Sequence, residues 1–239
     1  MPVSLSIIVP CYNEEAGLEP CIRGLVESLA SSIPDYEIII VNDCSKDETG
    51  EIATRLSVEF PQVRVMHNLT NQGLGYNYQL GFRVATKEYV ILVPGDNELH
   101  PDSVKYICQF AGEAEIITCY PENFHIRPPF RRLASKVFTM VINGISGYRL
   151  RYYNGNVLQK REHLLKVKPV TNSFAFQAEI LVQLLRMGLS HREVSFQLNF
   201  ASQRMSAFRF KNVVSVFYTV FRLAYTYRIL PALRLKCGA

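Results

Sequence analysis

The chain contains 239 residues, of which 48% are hydrophobic and 20% are charged, and this composition excludes an intrinsically disordered protein. The length suits one domain with a sizeable core, or one domain with a short appendage. The net charge of +5 is unevenly distributed, because residues 1–125 are acidic and nearly all the excess positive charge follows Arg127. An anionic partner near the second half would explain this distribution, and so would a solvated basic surface.

The six cysteines include no CxxC pair and show no regular spacing, so they predict neither a disulfide framework nor a zinc site. Cys11, Cys108 and Cys119 lie in apolar stretches, and we expect buried free thiols in a reducing compartment. The N-terminus lacks the features of a signal peptide, and no apolar run is long enough to predict a transmembrane helix. These features predict a cytoplasmic protein.

Apolar runs and helical stripes alternate along the first half of the chain. Residues 5–9 and 37–41 are predicted to form buried strands, and apolar residues recur at helical spacing over 18–29 between them. Further strands are predicted at 63–66 and 89–93. Continuous apolar strands separated by helices are typical of a mostly parallel sheet with helices on both faces, so we expect an α/β fold.

Polar side chains follow three of these strands directly. Tyr12, Asn13 and Glu14 follow the first strand, Asp43 the second and Asp96 the fourth. Taken alone, each group is more simply explained as the start of a helix. Because parallel strands bring their carboxyl ends to one edge of a sheet, the three groups together predict a binding site at that edge.

Two local motifs refine this picture. Ser45 and Glu48 form a capping box, which predicts that a helix starts there. Gly73 and Gly75 precede another predicted helix and would let a diphosphate approach its N-terminus, although taken alone a plain turn is the simpler explanation of two glycines.

Residues 10–14 (Pro-Cys-Tyr-Asn-Glu), 41–45 (Val-Asn-Asp-Cys-Ser) and 71–81, together with the acidic turn at Asp96, resemble the family 2 glycosyltransferases of the GT-A fold. The nearest branch is that of dolichyl-phosphate mannose synthase and the polyprenyl-phosphate sugar transferases. The resemblance runs from about residue 4 to about residue 210. It implies a GT-A domain over residues 1–205, followed by a basic amphipathic segment over 206–239.

The resemblance also implies how a nucleotide-sugar donor, a UDP- or GDP-sugar, would bind. Tyr12 and Glu14 would line the nucleoside pocket, and Asp43 would accept a hydrogen bond from the base. Asp96 would reach a divalent metal, Mg²⁺ or Mn²⁺, that bridges the donor diphosphate. The other predicted donor-binding residues are Pro10, Asn13 and Gly75.

The chain departs from the family pattern at Pro94, which replaces the first aspartate of the Asp-x-Asp motif. Since Mg²⁺ is often held by only one or two carboxylates, with phosphates and waters completing its octahedron, Asp96 still predicts a metal site. We predict that Glu98 supplies the second ligand, directly or through water. A non-catalytic nucleotide-sugar-binding module that kept the fold is the alternative.

The basic second half is predicted to bind the acceptor. In the lipid-phosphate branch that the chain resembles, basic groups and a serine contact the acceptor phosphate, and an arginine after the last strand faces the acceptor. The corresponding residues are Arg131, Arg132, Ser135 and Arg204. The helix that begins at Arg131 is predicted to carry one face made of Leu133, Val137, Met140, Val141 and Gly144. A solvated positive face explains the arginines equally well.

Glu179, near the start of a helix predicted over 174–187, matches a family acidic position and is the candidate general base. A glutamate favoured by the helix dipole is the simpler explanation. A phosphate acceptor, with a second pKa of about 6, is already largely a dianion and needs no strong base. A saccharide hydroxyl, the alternative acceptor, would need one.

Apolar residues recur at helical spacing over 213–225, interrupted by Lys and Arg. A basic amphipathic helix of this kind lies in a membrane interface, docks against its own domain or drives self-association into a homo-oligomer. We therefore expect an inverting, metal-assisted glycosyltransferase, peripheral on the cytoplasmic face of a membrane and without a nucleic-acid partner.

Overall fold

The computed structural model describes residues 3–172, 175–199 and 218–229. In these residues seven strands form one sheet in the order β3-β2-β1-β4-β6-β5-β7. The strands are β1 Ser4–Cys11, β2 Asp35–Asn42, β3 Val63–His67, β4 Tyr89–Leu92, β5 Ile116–Pro121, β6 Val157–Lys160 and β7 His191–Phe196. Only β6 runs antiparallel to its neighbours, so the predicted mostly parallel sheet is confirmed.

Helices connect most of these strands. They are α1 Leu18–Ala30, α2 Thr49–Glu59, α3 Leu74–Val84, α4 Pro101–Cys108, α5 Pro129–Ser146, α6 Arg161–Leu164 and α7 Phe176–Arg186. A short 3₁₀ helix spans Phe124–Ile126, and residues 218–224 are helical and continue into a π-helical turn at Tyr225–Ile229. Within the ranges described, no helix has both the length and the apolar character needed to cross a membrane.

Both faces of the sheet carry a hydrophobic layer. Along β1, Ile7 and Val9 pack with α1, α2 and α4 on one face, whereas Ile8 packs with α3 and α7 on the other. Successive side chains of a strand point to opposite faces, so a strand covered on both sides must be apolar throughout. This arrangement confirms the prediction of helices on both faces.

The predicted capping box is wrong. Helix α2 begins at Thr49, four residues after Ser45, and Glu48 at its N-cap makes no side-chain capping bond. Ser45 Oγ instead donates to Asn42 Oδ1 at 2.5 Å, while Asp47 Oδ1 accepts from the backbone N–H of Thr49 at 3.1 Å. Ser45 therefore bonds to the end of β2 and does not cap α2.

Candidate active site at the carboxyl edge of the sheet

Three strand ends meet at one edge because β1 lies between β2 and β4. The backbone N–H of Asp43 donates to Cys11 O at 2.9 Å, and that of Gly95 donates to Pro10 O at 3.1 Å. Pairing thus continues past the strands themselves. It places Asp43 and Asp96 on either side of the turn that follows β1, as their positions after neighbouring strands predicted.

Each of these strand ends contains a left-handed residue. In the described part of the chain, the non-glycine residues with positive φ are Asn13 (56°), Cys44 (60°) and Asn97 (57°). Such conformations are uncommon for side chains other than glycine, and they concentrate at functional sites. Asparagine tolerates this region, which gives a weak sequence signal at two of the three positions, but nothing in the sequence predicts it for Cys44.

The turns after β1 and β2 are held together by hydrogen bonds. Asn13 Oδ1 accepts from the N–H of Lys46 at 2.8 Å, and the N–H of Asn13 donates to Ser45 Oγ at 3.1 Å. The N–H of Glu14 donates to Thr49 Oγ1 at 2.7 Å. The predicted donor-binding turn is therefore fixed by its neighbour before any ligand binds, and its side chains are half-buried.

Asp43 is buried and its carboxylate organises the loop before α3. Oδ1 accepts from Asn68 Nδ2 at 2.9 Å and from the N–H of Gln72 at 2.8 Å, while Oδ2 accepts from the N–H of Gly73 at 2.8 Å. Sequence reasoning missed that Asp43 holds this loop. The available signal was that residues 71–73, which include its partners Gln72 and Gly73, match a block of the resembled family. Contact between Asp43 and a nucleotide base stays a prediction.

Gly75 is required by packing. Its N–H donates to Asn172 O at 2.9 Å, and an added Cβ would lie 2.6 Å from Thr171 O and 2.8 Å from Phe176 Cβ. Only glycine lets the start of α3 approach residues 171–172 this closely. Contact between Gly75 and a donor diphosphate stays a prediction.

The turn after β4 carries the acidic pair. Asp96 Oδ1 accepts from the N–H of Glu98 at 3.0 Å. Burial raises the pKa of the Asp96 carboxyl and the Glu98 carboxylate adds to that rise, whereas the Glu98 N–H, Arg131 and Arg127 oppose it. A carboxylate placed in such surroundings is stabilised by a nearby cation.

Glu98 faces two arginines of the second half. Its Oε1 accepts from Arg127 Nη2 at 2.7 Å and from Arg127 Nε at 3.0 Å, and its Oε2 lies 3.4 Å from Arg131 Nη2. Arg127 Nη1 also donates to Tyr152 Oη at 2.8 Å. Glu98, a predicted metal ligand, is thus in contact with Arg131, a predicted acceptor-binding residue.

Sequence reasoning missed Arg127 as a site residue. The available signal was its place in the proline-rich loop after β5, since parallel strands share one carboxyl edge. This arginine lines a cavity of about 70 Å³ together with Pro94 and Leu92. Besides Arg127, the polar side chains of the cavity lining are those of Glu98, Asn154, Asn156 and Gln177.

Of the predicted acceptor residues, Arg131 reaches the acidic turn. Arg132 and Ser135 lie in the first two turns of α5 and are half-buried. Arg204, the remaining predicted acceptor residue, lies outside the described residues. The contacts of all four with an acceptor stay predictions.

Glu179 is buried within α7, and its carboxylate contacts groups of the chain itself. Oε1 accepts from the N–H of Val170 and Oε2 from the N–H of Thr171, each at 3.0 Å. Arg222 pairs with the same carboxylate. The residue joins the 170–172 segment to the helix at 218–224, and its role as general base stays a prediction. The predicted end of this helix at residue 187 is one residue too late, because α7 ends at Arg186, and Met187 is exposed.

The acidic turn suits a divalent metal ion whose remaining ligands come from the substrate. Among the residues that the structure describes, no group of three His, Cys, Asp or Glu side chains surrounds a metal position. Asp96 and Glu98 offer only oxygen donors, which are the ligands that Mg²⁺ and Mn²⁺ prefer. One or two carboxylates with donor diphosphate oxygens are sufficient for such an ion.

The family model for glycosyl transferase family 2 matches residues 6–176. The chain therefore belongs to glycosyl transferase family 2, as the sequence blocks predicted. The matched range includes all three strand ends of the candidate site.

Two curated relatives carry names that specify a lipid phosphate. The chain is 25% identical over 164 residues to the undecaprenyl-phosphate 4-deoxy-4-formamido-L-arabinose transferase of Pectobacterium carotovorum, which covers 68% of this chain and 50% of the relative. It is 25% identical over 213 residues to a dolichyl-phosphate beta-glucosyltransferase of Trichomonas vaginalis, which covers 82% of this chain and 66% of the relative. The chain thus spans two thirds or less of the length of these relatives.

Among solved structures, the chain is similar to glucosyl-3-phosphoglycerate synthase from Mycobacterium tuberculosis in complex with Mn²⁺, uridine diphosphate and glucosyl-3-phosphoglycerate. The TM-score is 0.67 at 15% sequence identity, and the match covers 94% of this chain and 80% of that one. This likeness shows the fold, which is that of the GT-A glycosyltransferases. The predicted fold class is confirmed.

Proposed function

We propose that this protein transfers a sugar from a nucleotide-diphosphate sugar to the phosphate of a polyprenyl lipid, with inversion at the anomeric carbon. One observation carries the proposal: Asp96 and Glu98 lie beside Arg127 and Arg131 at the carboxyl edge of the sheet. Carboxylates suit the metal of a donor diphosphate, and guanidinium groups suit a second anionic substrate. The names of the two lipid-phosphate relatives support the same acceptor class.

In the proposed reaction, an oxygen of the acceptor phosphate attacks the anomeric carbon. The bond from that carbon to the donor diphosphate breaks, and the nucleoside diphosphate leaves with the electron pair. A phosphate dianion has no proton to lose, so this step needs no general base. Arg131 would hold the attacking phosphate, because the planar guanidinium binds two phosphate oxygens at once.

The charge that develops on the leaving diphosphate must be stabilised in the transition state. A bound Mg²⁺ or Mn²⁺ supplies this stabilisation as a Lewis acid. Asp96 would hold the ion, with Glu98 as a second ligand once its carboxylate leaves the arginines. Tyr12, Glu14 and Asp43 would orient the nucleoside from the other two strand ends.

The proposed setting is the surface of a membrane on its cytoplasmic face. Cys11, Cys21, Cys108 and Cys119 are buried free thiols, which supports a reducing compartment. A lipid phosphate remains in its bilayer during the reaction, so the enzyme must reach that surface.

Asp96→Asn tests the proposal, because asparagine can still accept the hydrogen bond from the Glu98 N–H. We expect transfer from UDP- or GDP-sugars to a short polyprenyl phosphate, measured with radiolabelled donor and Mn²⁺, to fall by about 10²–10³-fold. Asp102→Asn, on an exposed side chain of α4, serves as the matched control and should keep transfer unchanged.

Nucleotide binding is measured on the same samples by thermal shift with and without Mn²⁺. The proposal fails if the wild-type protein transfers no sugar with Mg²⁺ or Mn²⁺ and Asp96→Asn leaves nucleotide binding unchanged. That result would favour the non-catalytic binding module. Transfer to a saccharide hydroxyl alone would favour the other acceptor class.

A further inference from the structure

Helix α5 exposes its apolar face to solvent. Four large apolar side chains on this face are between 46% and 67% exposed, namely Phe130, Leu133, Val137 and Met140. The opposite face buries Thr139, Ile142 and Ser146, two of which are polar. A helix of a water-soluble domain normally places these two faces the other way round.

Hydrogen bonds on the inner face fix this orientation. Asn143 Nδ2 donates to Leu150 O and Asn143 Oδ1 accepts from the N–H of Leu150, both at 3.0 Å. Tyr153 Oη donates to Asn143 Oδ1 at 2.9 Å and lies 3.1 Å from Ser146 Oγ. Turning the helix to bury its apolar face would leave these polar groups without partners inside the protein, which is costly. The exposed apolar face is therefore built into the fold.

The helix at 218–224 and its π-helical turn add a second exposed apolar face. Tyr218, Phe221 and Tyr225 follow helical spacing and are between 45% and 65% exposed. The π-helical turn contacts α5, so the two exposed faces belong to adjacent helices. Thr219 Oγ1 lies 2.7 Å from Thr171 Oγ1, which attaches this second helix to the domain. We call the seven exposed side chains of the two helices the apolar patch.

Positive charge lies along one side of the patch, next to Met140. Lys136, Arg149 and Arg151 line a groove of about 560 Å³ beside Met140. The acidic residue of the groove, Glu193, already accepts from the N–H of Arg151 at 2.7 Å. In the whole sequence after Arg127, acidic residues occur only at positions 162, 179 and 193, against a large excess of Lys and Arg.

We propose that the apolar patch docks the protein onto an anionic lipid bilayer, with α5 lying in the interface. Charge decides between a bilayer and a second copy of the chain. A symmetric dimer through this face would oppose one positive surface with another, whereas anionic headgroups complement it and acyl chains receive the apolar side chains. The proposed membrane contact includes a helix in the middle of the chain, in addition to the segment over 206–239 that the sequence predicts.

Docking through α5 explains how a lipid phosphate would reach the site. The first turn of this helix presents Arg131 to Glu98, while the following turns present Leu133, Val137 and Met140 outwards. The acceptor phosphate would therefore meet Arg131 at the level of the headgroups, with its chain still in the bilayer. This consequence rests on the proposed function, whereas bilayer binding itself does not.

Co-sedimentation with vesicles tests the docking. We expect the wild-type protein to bind vesicles of phosphatidylcholine mixed with phosphatidylglycerol, to bind phosphatidylcholine alone weakly, and to lose binding at high salt. The double variant Leu133→Ser/Met140→Ser should lose at least about tenfold in vesicle affinity, because it removes apolar side chains that would enter the bilayer.

Leu69→Ser/Val58→Ser is the matched control, since both side chains are exposed, at 95% and 84%, but lie on the first half of the molecule. It should bind vesicles like the wild type. All four positions are exposed, so both variants should keep the thermal unfolding midpoint of the wild type.

Equal vesicle binding by both double variants, or no binding by the wild type, overturns the inference. A dimer in solution that Leu133→Ser/Met140→Ser dissociates would assign the face to a second copy instead. Thermal shifts with nucleotide diphosphates and Mn²⁺ on the same samples separate the two proposals. Nucleotide binding without vesicle binding removes the docking alone, and vesicle binding without nucleotide binding removes the proposed function alone.

Discussion

Helices α1 and α5 are both amphipathic, yet they treat their apolar faces in opposite ways. In α1 the apolar residues, among them Ile22 and Leu25, are buried against the sheet. In α5 Leu133 and Met140 face solvent, and polar side chains such as Asn143 hold the helix to the domain. Helical periodicity identifies a face that will be covered, but it does not identify what covers it.

The two halves of the molecule also differ in how their helices are attached. The helices of the first half connect parallel strands and pack directly on the sheet, so the strands bury their apolar faces. In the second half, α5 and the helix at 218–224 each bury an apolar side chain, Ile142 and Leu223, and are also attached by hydrogen bonds and by the Glu179–Arg222 pair. This attachment uses one face of each helix, while large apolar side chains on the other face, such as Met140 and Phe221, are exposed.

The largest expected effect comes from the same substitution in the two helices. Leu25→Ala should lower the free energy of unfolding by about 3 kcal/mol, because it leaves a cavity in the core. Leu133→Ala should change it by less than about 0.5 kcal/mol, because the side chain is already exposed. Urea unfolding followed by circular dichroism measures both values. Equal losses would contradict the difference between the two helices.

A smaller effect is expected at the ionic attachment of the second half. Glu179→Gln removes the charge that pairs with Arg222 and puts an amide NH₂ against one of two backbone N–H donors. We expect a loss of about 2 kcal/mol in the free energy of unfolding. Glu162→Gln, on an exposed side chain of the same half, should cost less than about 0.5 kcal/mol.

The same variant separates positioning from catalysis. If Glu179 only positions residues 170–172 and the helix at 218–224, the folded variant should keep kcat for a polyprenyl phosphate, with the change confined to stability and donor KM. Loss of kcat with donor binding intact would instead assign the general-base role and favour a hydroxyl acceptor. A double-mutant cycle with Arg222→Met measures the coupling of the pair.

The smallest effect concerns Glu37, a buried carboxylate of the first half. Burial opposes ionisation of Glu37, but hydrogen bonds from Ser6 and Thr86 and the nearby Arg64 together hold its pKa below the ordinary 4.5. The native pKa lies below the unfolded one, so the stabilisation is complete above pH 4.5 and is lost as pH falls through the native pKa. Glu37→Gln should lower stability by about 1 kcal/mol at neutral pH.

The measurement for Glu37 is the free energy of unfolding as a function of pH. The wild-type curve should fall more steeply below pH 4.5 than that of Glu37→Gln, so the two curves should converge in acid. Parallel curves would show that Glu37 makes no such contribution. The Arg64 side chain is 48% exposed, so its removal alone should change the free energy of unfolding by less than Glu37→Gln does.

The order of strands and helices could be predicted because apolar period and turn residues act over a few neighbouring positions. The boundary of α2 could not, since Ser45 bonds with Asn42 and Asn13 rather than capping the helix. Arg127 could not be predicted as a site residue for a similar reason. Its partner Glu98 is distant in sequence, and only the shared sheet edge brings the two together.

By itself, the sequence determined the α/β class, the family, the three polar strand ends and the concentration of positive charge after Arg127. These features depend on local pattern and composition. Only the tertiary structure decided that Glu98 faces arginines, that Glu179 holds two segments together and that α5 turns its apolar face outwards. Each of these depends on which distant groups satisfy a buried polar atom, and a single chain pattern does not contain that information.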